Sequence, residues 1–145
     1  MPPSATRTFV DTSAFYALAD RTDRHHSRAI TIFQALVSRS ETLTTDHVVV
    51  ETWLLLRARL GYGAAMSFWD ALGSGVVTVV GVGSADFGRA RAIAQAWEDQ
   101  SFSLVDCTSF AVIERLDLRT AFAFDAHFRV FRYGRHRTKS LRLLT

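Results

Sequence analysis

The pattern of apolar and polar positions along the chain predicts alternating helices and strands. Residues 23–38 carry apolar side chains at helical spacing, which predicts an amphipathic helix. These apolar positions are Ala29, Ile32, Phe33, Leu36 and Val37. Residues 76–80, VVTVV, are instead a short run of β-branched residues. Such a run is typical of a strand covered on both faces, and we predict it to be central in a sheet.

The same reasoning places the other elements of the chain. Further strands are predicted at residues 6–10, 42–45, 120–124 and 141–144. Further helices are predicted at residues 13–19, 46–60, 64–72, 84–100 and 103–116, with Asp46 and Ser84 as expected caps. Because strands and helices alternate, we predict an α/β fold with a parallel sheet wrapped by helices, formed by residues 1–145 as a single domain.

Composition and length fit a soluble globular domain that needs no disulfide to stabilise its core. The chain has 145 residues, 48% hydrophobic and 21% charged, which are ordinary values for such a domain. Its first residues, MPPSATRTFVDTS, show no apolar run typical of a secretory leader, and no eighteen apolar residues follow one another. We therefore expect a cytoplasmic location. Cys107 is the single cysteine, which excludes an internal disulfide and a multi-thiolate metal site.

Basic residues are concentrated near the carboxyl terminus of a chain whose formal charge is +3. The six basic residues of this segment are Arg129, Arg132, Arg135, Arg137, Lys139 and Arg142. Arginine binds phosphate oxygens in a bidentate manner, so the segment permits a nucleic-acid partner. A genome rich in arginine codons would give the same composition.

Three aspartates stand where a parallel α/β sheet collects its ligands. Asp11 follows the first strand, Asp125 follows the strand predicted at 120–124, and Asp106 lies in the first turn of a helix. Ligands bind at the carboxyl ends of such strands, where helix amino termini also point. The alternative is that all three are helix caps, because Asp is a favoured cap and Ser103 with Asp106 resembles a capping box.

A fourth acid, Glu51, shares a helix face with Val48 and Leu55, which turns its carboxylate towards the interior. An unpaired buried carboxylate is costly. If the four acids converge, each pair at ~5 Å repels by about 3 kcal/mol at an effective dielectric of roughly 20. Such a cluster must take up protons or bind a cation, and oxygen ligands favour magnesium or manganese.

The segments around these acids resemble the four acidic blocks of PIN domains. They are VDTSAF around Asp11, VVVETW around Glu51, SLVDCTSFAV around Asp106 and AFAFDAHF around Asp125. They occur in the family order with similar spacing, and DRHHSRA at residues 23–29 resembles the segment that often follows the first block. The resemblance spans nearly the whole chain and extends to VapC, the toxin class of bacterial toxin–antitoxin pairs.

The resemblance implies a three-layer α/β/α sandwich with a short central parallel sheet, and an endoribonuclease that uses Mg²⁺ or Mn²⁺. It implies that Asp11 and Asp106 are direct metal ligands. Glu51 and Asp125 would complete the acidic pocket, as ligands or through water. Ser13 would orient a carboxylate or hydrogen-bond a phosphate oxygen. Thr108 is a fainter match as a supporting residue.

The chain departs from the family pattern at one position. Many relatives have a threonine shortly before the fourth acid, where this chain has Ala123 and Phe124. Any hydrogen bond that such a threonine makes to the pocket is therefore not expected here.

The resemblance also implies partners, namely an RNA substrate, an antitoxin protein that covers the pocket, and a second copy in a homodimer, with no membrane partner. Apolar residues on helix faces, including Phe15, Tyr16 and Trp53, are candidates for surface that a partner covers. Arg129 and Arg132 are the first candidates for contacts to the RNA backbone.

Two other interpretations remain at this point. One is a PIN-like fold that only binds RNA or protein, which the presence of all four acids disfavours. The other is a receiver-like phosphoacceptor domain, with Lys139 near its last strand. Such domains pair acids at the end of the first strand, whereas Thr12 and Ser13 follow Asp11 here.

Overall fold

A computed structural model describes residues 6–145 and contains a sheet of five parallel strands flanked by helices. The strands of this sheet are β1 (Thr6–Val10), β2 (Ser40–Thr45), β3 (Val77–Val80), β4 (Thr120–Phe122) and β7 (Arg142–Leu144). Their order across the sheet is β3-β2-β1-β4-β7. A separate antiparallel pair consists of β5 (Arg132–Tyr133) and β6 (Lys139–Ser140). The predicted fold class is confirmed.

The helices connect the strands in the alternating order that the sequence predicted. They are α1 (Thr12–Ala19), α2 (His26–Arg39), α3 (Asp46–Leu60), α4 (Tyr62–Leu72), α5 (Ser84–Ala96), α6 (Leu104–Leu116) and the short α7 (His127–Val130). Single 3₁₀ turns lie at Glu98–Gln100 and Arg135–Arg137. Within residues 6–145 no helix has the length and apolar character needed to cross a membrane. Residues 1–5 lie outside the described residues. They belong to the amino-terminal segment in which no secretory leader was expected.

The prediction that residues 76–80 form a central strand is wrong, because β3 lies at the edge of the sheet. It pairs with β2 alone, and the side chains of Thr78 and Val79 are exposed. A run of β-branched residues reports the extended backbone that such residues favour. It does not report how many neighbours the strand has.

Several predicted element ends also differ, because side chains bind the backbone at those points. The Thr45 hydroxyl, rather than Asp46, caps α3 by accepting from the Val48 N–H at 3.1 Å. Gly83, rather than Ser84, is the cap of α5, where its N–H donates to Asp86. Helix α2 begins at His26 because Asp23 closes a turn with the His25 N–H at 2.8 Å.

The core lies on both faces of β1 and β4 and is rich in phenylalanine. Phe9, Phe110, Phe122, Phe128 and Phe131 are at most 1% exposed. The rings of Phe110 and Phe131 stack with centroids 4.1 Å apart, so that α6 is fixed against the segment that follows α7. This packing determines where the first turn of α6 stands relative to the carboxyl ends of β1 and β4.

Candidate active site

The four predicted acids line one open cavity at the carboxyl edge of the sheet. The cavity has a volume of about 510 Å³. Asp11 lies directly after β1, Asp106 in the first turn of α6, and Asp125 in the loop between β4 and α7. Glu51 reaches the cavity from α3. Four segments that are distant in sequence therefore place carboxylates around a common space.

Asp11 is held by Ser13, which lies in the first turn of α1. Its Oδ2 accepts from the Ser13 N–H at 3.1 Å and from the Ser13 hydroxyl at 2.7 Å. Its side chain is buried, and burial is the main cause that raises its pKa to about 7. The Ser13 hydrogen bonds lower this pKa, and the negative charges of Asp106 and Asp125 raise it. The carboxylates thus lie close enough to oppose each other's ionisation.

Ser13 connects the first acid to the fourth. Besides donating to Asp11, its Oγ accepts from the backbone N–H groups of Phe124, at 2.9 Å, and Asp125, at 3.3 Å. The chain turns away from β4 at this point, so the predicted strand end at residue 124 is two residues too late. This contact fits the expected role of Ser13 in orienting a carboxylate.

Asp106 is both a capping residue and a cavity residue. Its Oδ2 accepts from the Ser103 N–H at 3.1 Å, while the Ser103 hydroxyl accepts from the Asp106 N–H at 3.0 Å. The capping-box interpretation is therefore correct, and it does not compete with a role in the cavity. A cap fixes one carboxylate oxygen and leaves the other available.

His127 also lines the cavity, although it was not among the site residues predicted from the sequence. Its Nδ1 lies 2.7 Å from Asp106 Oδ2 and 3.5 Å from Asp125 Oδ1, and its backbone N–H donates to Asp125 Oδ1 at 2.9 Å. Donor atoms of Asp106, Asp125 and His127 all lie within 4.8 Å of one another. The signal in the sequence was its place two residues after Asp125, in DAHF.

Glu51 is half-buried and lines the cavity together with Leu55 and Arg59, which follow it at one-turn intervals along α3. Within residues 6–145 its carboxylate has no hydrogen-bond partner. The expected orientation towards the acids is therefore found, but the side chain is less enclosed than Asp11 or Asp106.

Three further predictions from the sequence differ from the structure. Thr108 is buried away from the cavity lining, and its hydroxyl donates to the Val105 carbonyl at 3.1 Å. Neither Arg129 nor Arg132 lines the cavity. Phe15, expected among the uncovered apolar residues, is only 5% exposed because it packs against Phe68 in the core.

Comparison with known proteins places this geometry in a family. The family model for the PIN domain matches residues 8–132. A 23S rRNA-specific endonuclease, VapC20 of Mycobacterium tuberculosis, is 36% identical over 126 residues, which cover 83% of this chain and 90% of that protein. Ribonuclease VapC26 of the same species is 26% identical over 125 residues, covering 85% of this chain and 90% of the relative.

Solved structures agree with the sequence relatives. The crystal structure of M. tuberculosis VapC20, described as a sarcin–ricin loop cleaving toxin, superposes with a TM-score of 0.76 and 33% identity, covering 82% of this chain and 90% of that chain. The Rickettsia felis VapBC2 structure has a TM-score of 0.70 at 9% identity, covering 97% and 100%, which shows a shared fold alone. Given the match over residues 8–132 and the identity to VapC20, this chain belongs to the PIN-domain family.

Proposed function

We propose that this protein is an endoribonuclease that hydrolyses RNA phosphodiesters with the help of a divalent cation, and that it is the toxin of a toxin–antitoxin pair. The observation that carries the proposal is the convergence of Asp11, Glu51, Asp106 and Asp125 on one cavity. Family membership and the endonuclease relative support the same activity. Acids kept only for helix capping would have no reason to share a cavity.

The donor set of the cavity fits a hard divalent cation. The carboxylates supply oxygen ligands, and those of Asp106 and Asp125 lie within 4.8 Å of each other together with a ring nitrogen of His127. Burial, with smaller contributions from the negative charges of Asp106 and Asp125, raises the pKa of Asp11, and a bound cation would favour the ionised form of this carboxyl. Oxygen donors favour Mg²⁺, and a nearby imidazole is compatible with Mn²⁺ as well.

Protein hydrogen bonds fix one oxygen of each of the three converging aspartates, Asp11, Asp106 and Asp125, and leave the other for a ligand. In Asp11 and Asp106 the bonded atom is Oδ2, and in Asp125 it is Oδ1. Nothing in residues 6–145 donates to Asp11 Oδ1, Asp106 Oδ1 or Asp125 Oδ2. We assign Asp11 and Asp106 as direct ligands, with Asp125 and Glu51 acting directly or through an intervening water.

A divalent cation held by these residues would make a water molecule more acidic and offset the charge that develops on the phosphate oxygens. Ser13 and His127 keep the carboxylates in place while the substrate binds. Because water attacks rather than the ribose hydroxyl, we expect products with 5′-phosphate and 3′-hydroxyl ends. A 2′,3′-cyclic phosphate is not expected.

The relatives suggest which RNA and which partners to test first. VapC20 is named for action on 23S rRNA, and we propose ribosomal RNA as the first substrate class. VapBC2, which shares this fold, was solved as a complex. This supports a cognate antitoxin as partner. An apolar groove of about 580 Å³, lined by Ile30 and Phe33 of α2 and by Phe68 and Leu72 of α4, offers surface for a protein. The homodimer expected from the resemblance stays a prediction.

The test is cleavage of purified ribosomes and ribosomal RNA by the wild type and by Asp106→Asn, with and without chelator. We expect Mg²⁺- or Mn²⁺-dependent cleavage by the wild type, loss of cleavage with chelator, and loss in the variant. Glu98→Gln, on the 3₁₀ turn away from the cavity, is the matched control and should cleave normally. Cleavage that persists in chelator, or cyclic-phosphate products, would contradict the proposal.

A further inference from the structure

Two arginines line the acidic cavity, and neither belongs to the basic carboxyl-terminal segment. Arg24 comes from the turn before α2, and Arg59 from the last turn of α3. Both side chains are exposed. Arg59 lies eight residues after Glu51 on the same face of α3, about 12 Å along the helix.

Neither of these arginines forms an ion pair with a carboxylate of residues 6–145, although five acids line the same cavity. The five are Asp11, Asp23, Glu51, Asp106 and Asp125. Other arginines of the chain are engaged, as Arg115 is with Asp86 and Arg89 with Glu114. Unpaired guanidinium groups beside a cavity that holds a negatively charged substrate are available for its phosphates.

Aromatic and imidazole groups hold both arginines without neutralising them. The Arg59 guanidinium carbon lies 5.2 Å from the centroid of the Tyr16 ring, and the Tyr16 hydroxyl is anchored by Asp20 at 2.6 Å. Arg24 Nε donates to His25 Nε2 at 3.1 Å. The His25 ring in turn stacks on Phe124, with centroids 4.3 Å apart, directly before Asp125.

The candidates that the sequence suggested are placed less favourably. The Arg132 Nη1 donates to the carbonyls of Arg129, Val130 and Phe131 at 2.6, 3.2 and 3.0 Å, so it closes the end of α7. Arg129 is exposed but does not line the cavity.

We infer that Arg24 and Arg59 bind the RNA phosphates on either side of the scissile bond and thereby seat the substrate over the acids. This inference rests on the proposed ribonuclease function and names the residues that contact its substrate. The two arginines compensate for the repulsion between the RNA backbone and a cavity lined by carboxylates. They are binding residues and take no part in bond cleavage.

The test compares single arginine-to-glutamine variants that change net charge equally. Binding of a fluorescein-labelled ribosomal RNA fragment is measured by anisotropy between about 50 and 200 mM salt, in an Asp11→Asn background that prevents cleavage. The variants are Arg24→Gln, Arg59→Gln, Arg129→Gln and Arg39→Gln. Arg39 ends α2, where the chain enters the amino end of β2 at the opposite edge of the sheet, so it is the matched control.

We expect Arg24→Gln and Arg59→Gln each to weaken binding by about fivefold and to reduce the salt slope by about 0.7–0.9. In the wild-type background both should raise KM with little change in kcat. Arg59→Lys keeps the charge but not the planar fork, and should give an intermediate loss. Thermal unfolding of each variant shows whether the loss comes from misfolding.

If the wild type cleaves RNA but Arg24→Gln and Arg59→Gln bind RNA as well as Arg39→Gln does, this inference is overturned and the proposed function is not. A larger loss in Arg129→Gln would do the same and return the contact to the carboxyl-terminal segment. A wild type that neither binds nor cleaves RNA would instead overturn the proposed function.

Discussion

His127 Nδ1 lies 2.7 Å from Oδ2 of Asp106, the same oxygen that accepts from the Ser103 N–H. Two donors therefore hold one oxygen of this carboxylate, and no donor of residues 6–145 binds the other. The His127 ring is itself fixed by an edge contact with Phe102, with centroids 5.1 Å apart. We regard His127 as a positioning residue for the proposed cation site.

Replacing His127 by leucine removes the ring donor at similar volume. We expect Mn²⁺ affinity and kcat to fall by about 10–100-fold, the usual effect of losing a partner that orients a ligand. Asn, whose amide nitrogen can stand near the position of Nδ1, should restore part of both. Isothermal titration with Mn²⁺ measures the affinity independently of activity, and wild-type affinity in the leucine variant would exclude the positioning role.

Removing the Ser13 hydroxyl should loosen the connection between Asp11 and the loop that carries Asp125. Its Oγ donates to Asp11 at 2.7 Å and accepts from the Phe124 N–H at 2.9 Å. We expect Ser13→Ala to lower kcat by about 10–100-fold with a smaller effect on KM. Ser13→Thr keeps the hydroxyl and is the control, and steady-state kinetics on labelled RNA distinguish the two. Equal kcat values for Ser13→Ala and the wild type would show that the Ser13 hydroxyl does not position Asp11 and the Asp125 loop for catalysis.

Neutralising Asp11 should stabilise the metal-free protein at alkaline pH. Burial raises the pKa of Asp11 to about 7, so the folded state holds this proton more tightly than the unfolded state does. The stability that protonation contributes is complete below the ordinary aspartate pKa near 4 and is lost as pH rises through about 7. The loss amounts to at most about 4 kcal/mol.

We therefore expect Asp11→Asn to unfold at a higher temperature than the wild type at pH 8 in chelator, and the difference to shrink towards pH 4. Added Mn²⁺ should stabilise the wild type more than the variant, because bound cation offsets the same charge. Differential scanning calorimetry across this pH range gives both comparisons. If the variant were less stable than the wild type at pH 8 without metal, ionisation of Asp11 would not destabilise the folded state.

Asp86 provides the opposite case within the same chain. Arg115 binds it through Nε at 2.8 Å and through Nη2 at 3.1 Å, and this ion pair holds the pKa of Asp86 below its usual value despite partial desolvation. Its contribution is therefore present above the usual aspartate pKa and is lost as pH falls through the lowered value.

We expect Asp86→Asn to lower the free energy of unfolding at pH 7 by about 1–3 kcal/mol, because the contact that joins α5 to α6 is weakened. Activity per folded molecule should be unchanged, since Asp86 does not line the cavity. Urea unfolding followed by tryptophan fluorescence measures the change. Unaltered stability would mean that Arg115, which is 45% exposed, is equally well solvated without its partner.

The sequence by itself determined the kinds of element, their order and the four acids that share one cavity. Helical spacing in residues 23–38 and the extended runs that became β1, β2 and β3 depend on neighbours within one or two turns, so they can be read from local pattern. The four acidic segments likewise identified the family and four residues of the cavity. The extent of the domain, residues 1–145, stays a prediction.

Tertiary structure alone decided which residues surround those acids. The edge position of β3 depends on the order of strands in the sheet, and the contact of Ser13 with Phe124 joins residues 111 positions apart. His127 reaches Asp106, and Arg59 stacks on Tyr16, only once the packing of α6 and α3 has been fixed. The local sequence pattern reflects interactions between residues that are close along the chain. The contacts of His127 and Arg59 across the cavity are set by long-range packing, which the apolar and polar pattern within one element does not encode.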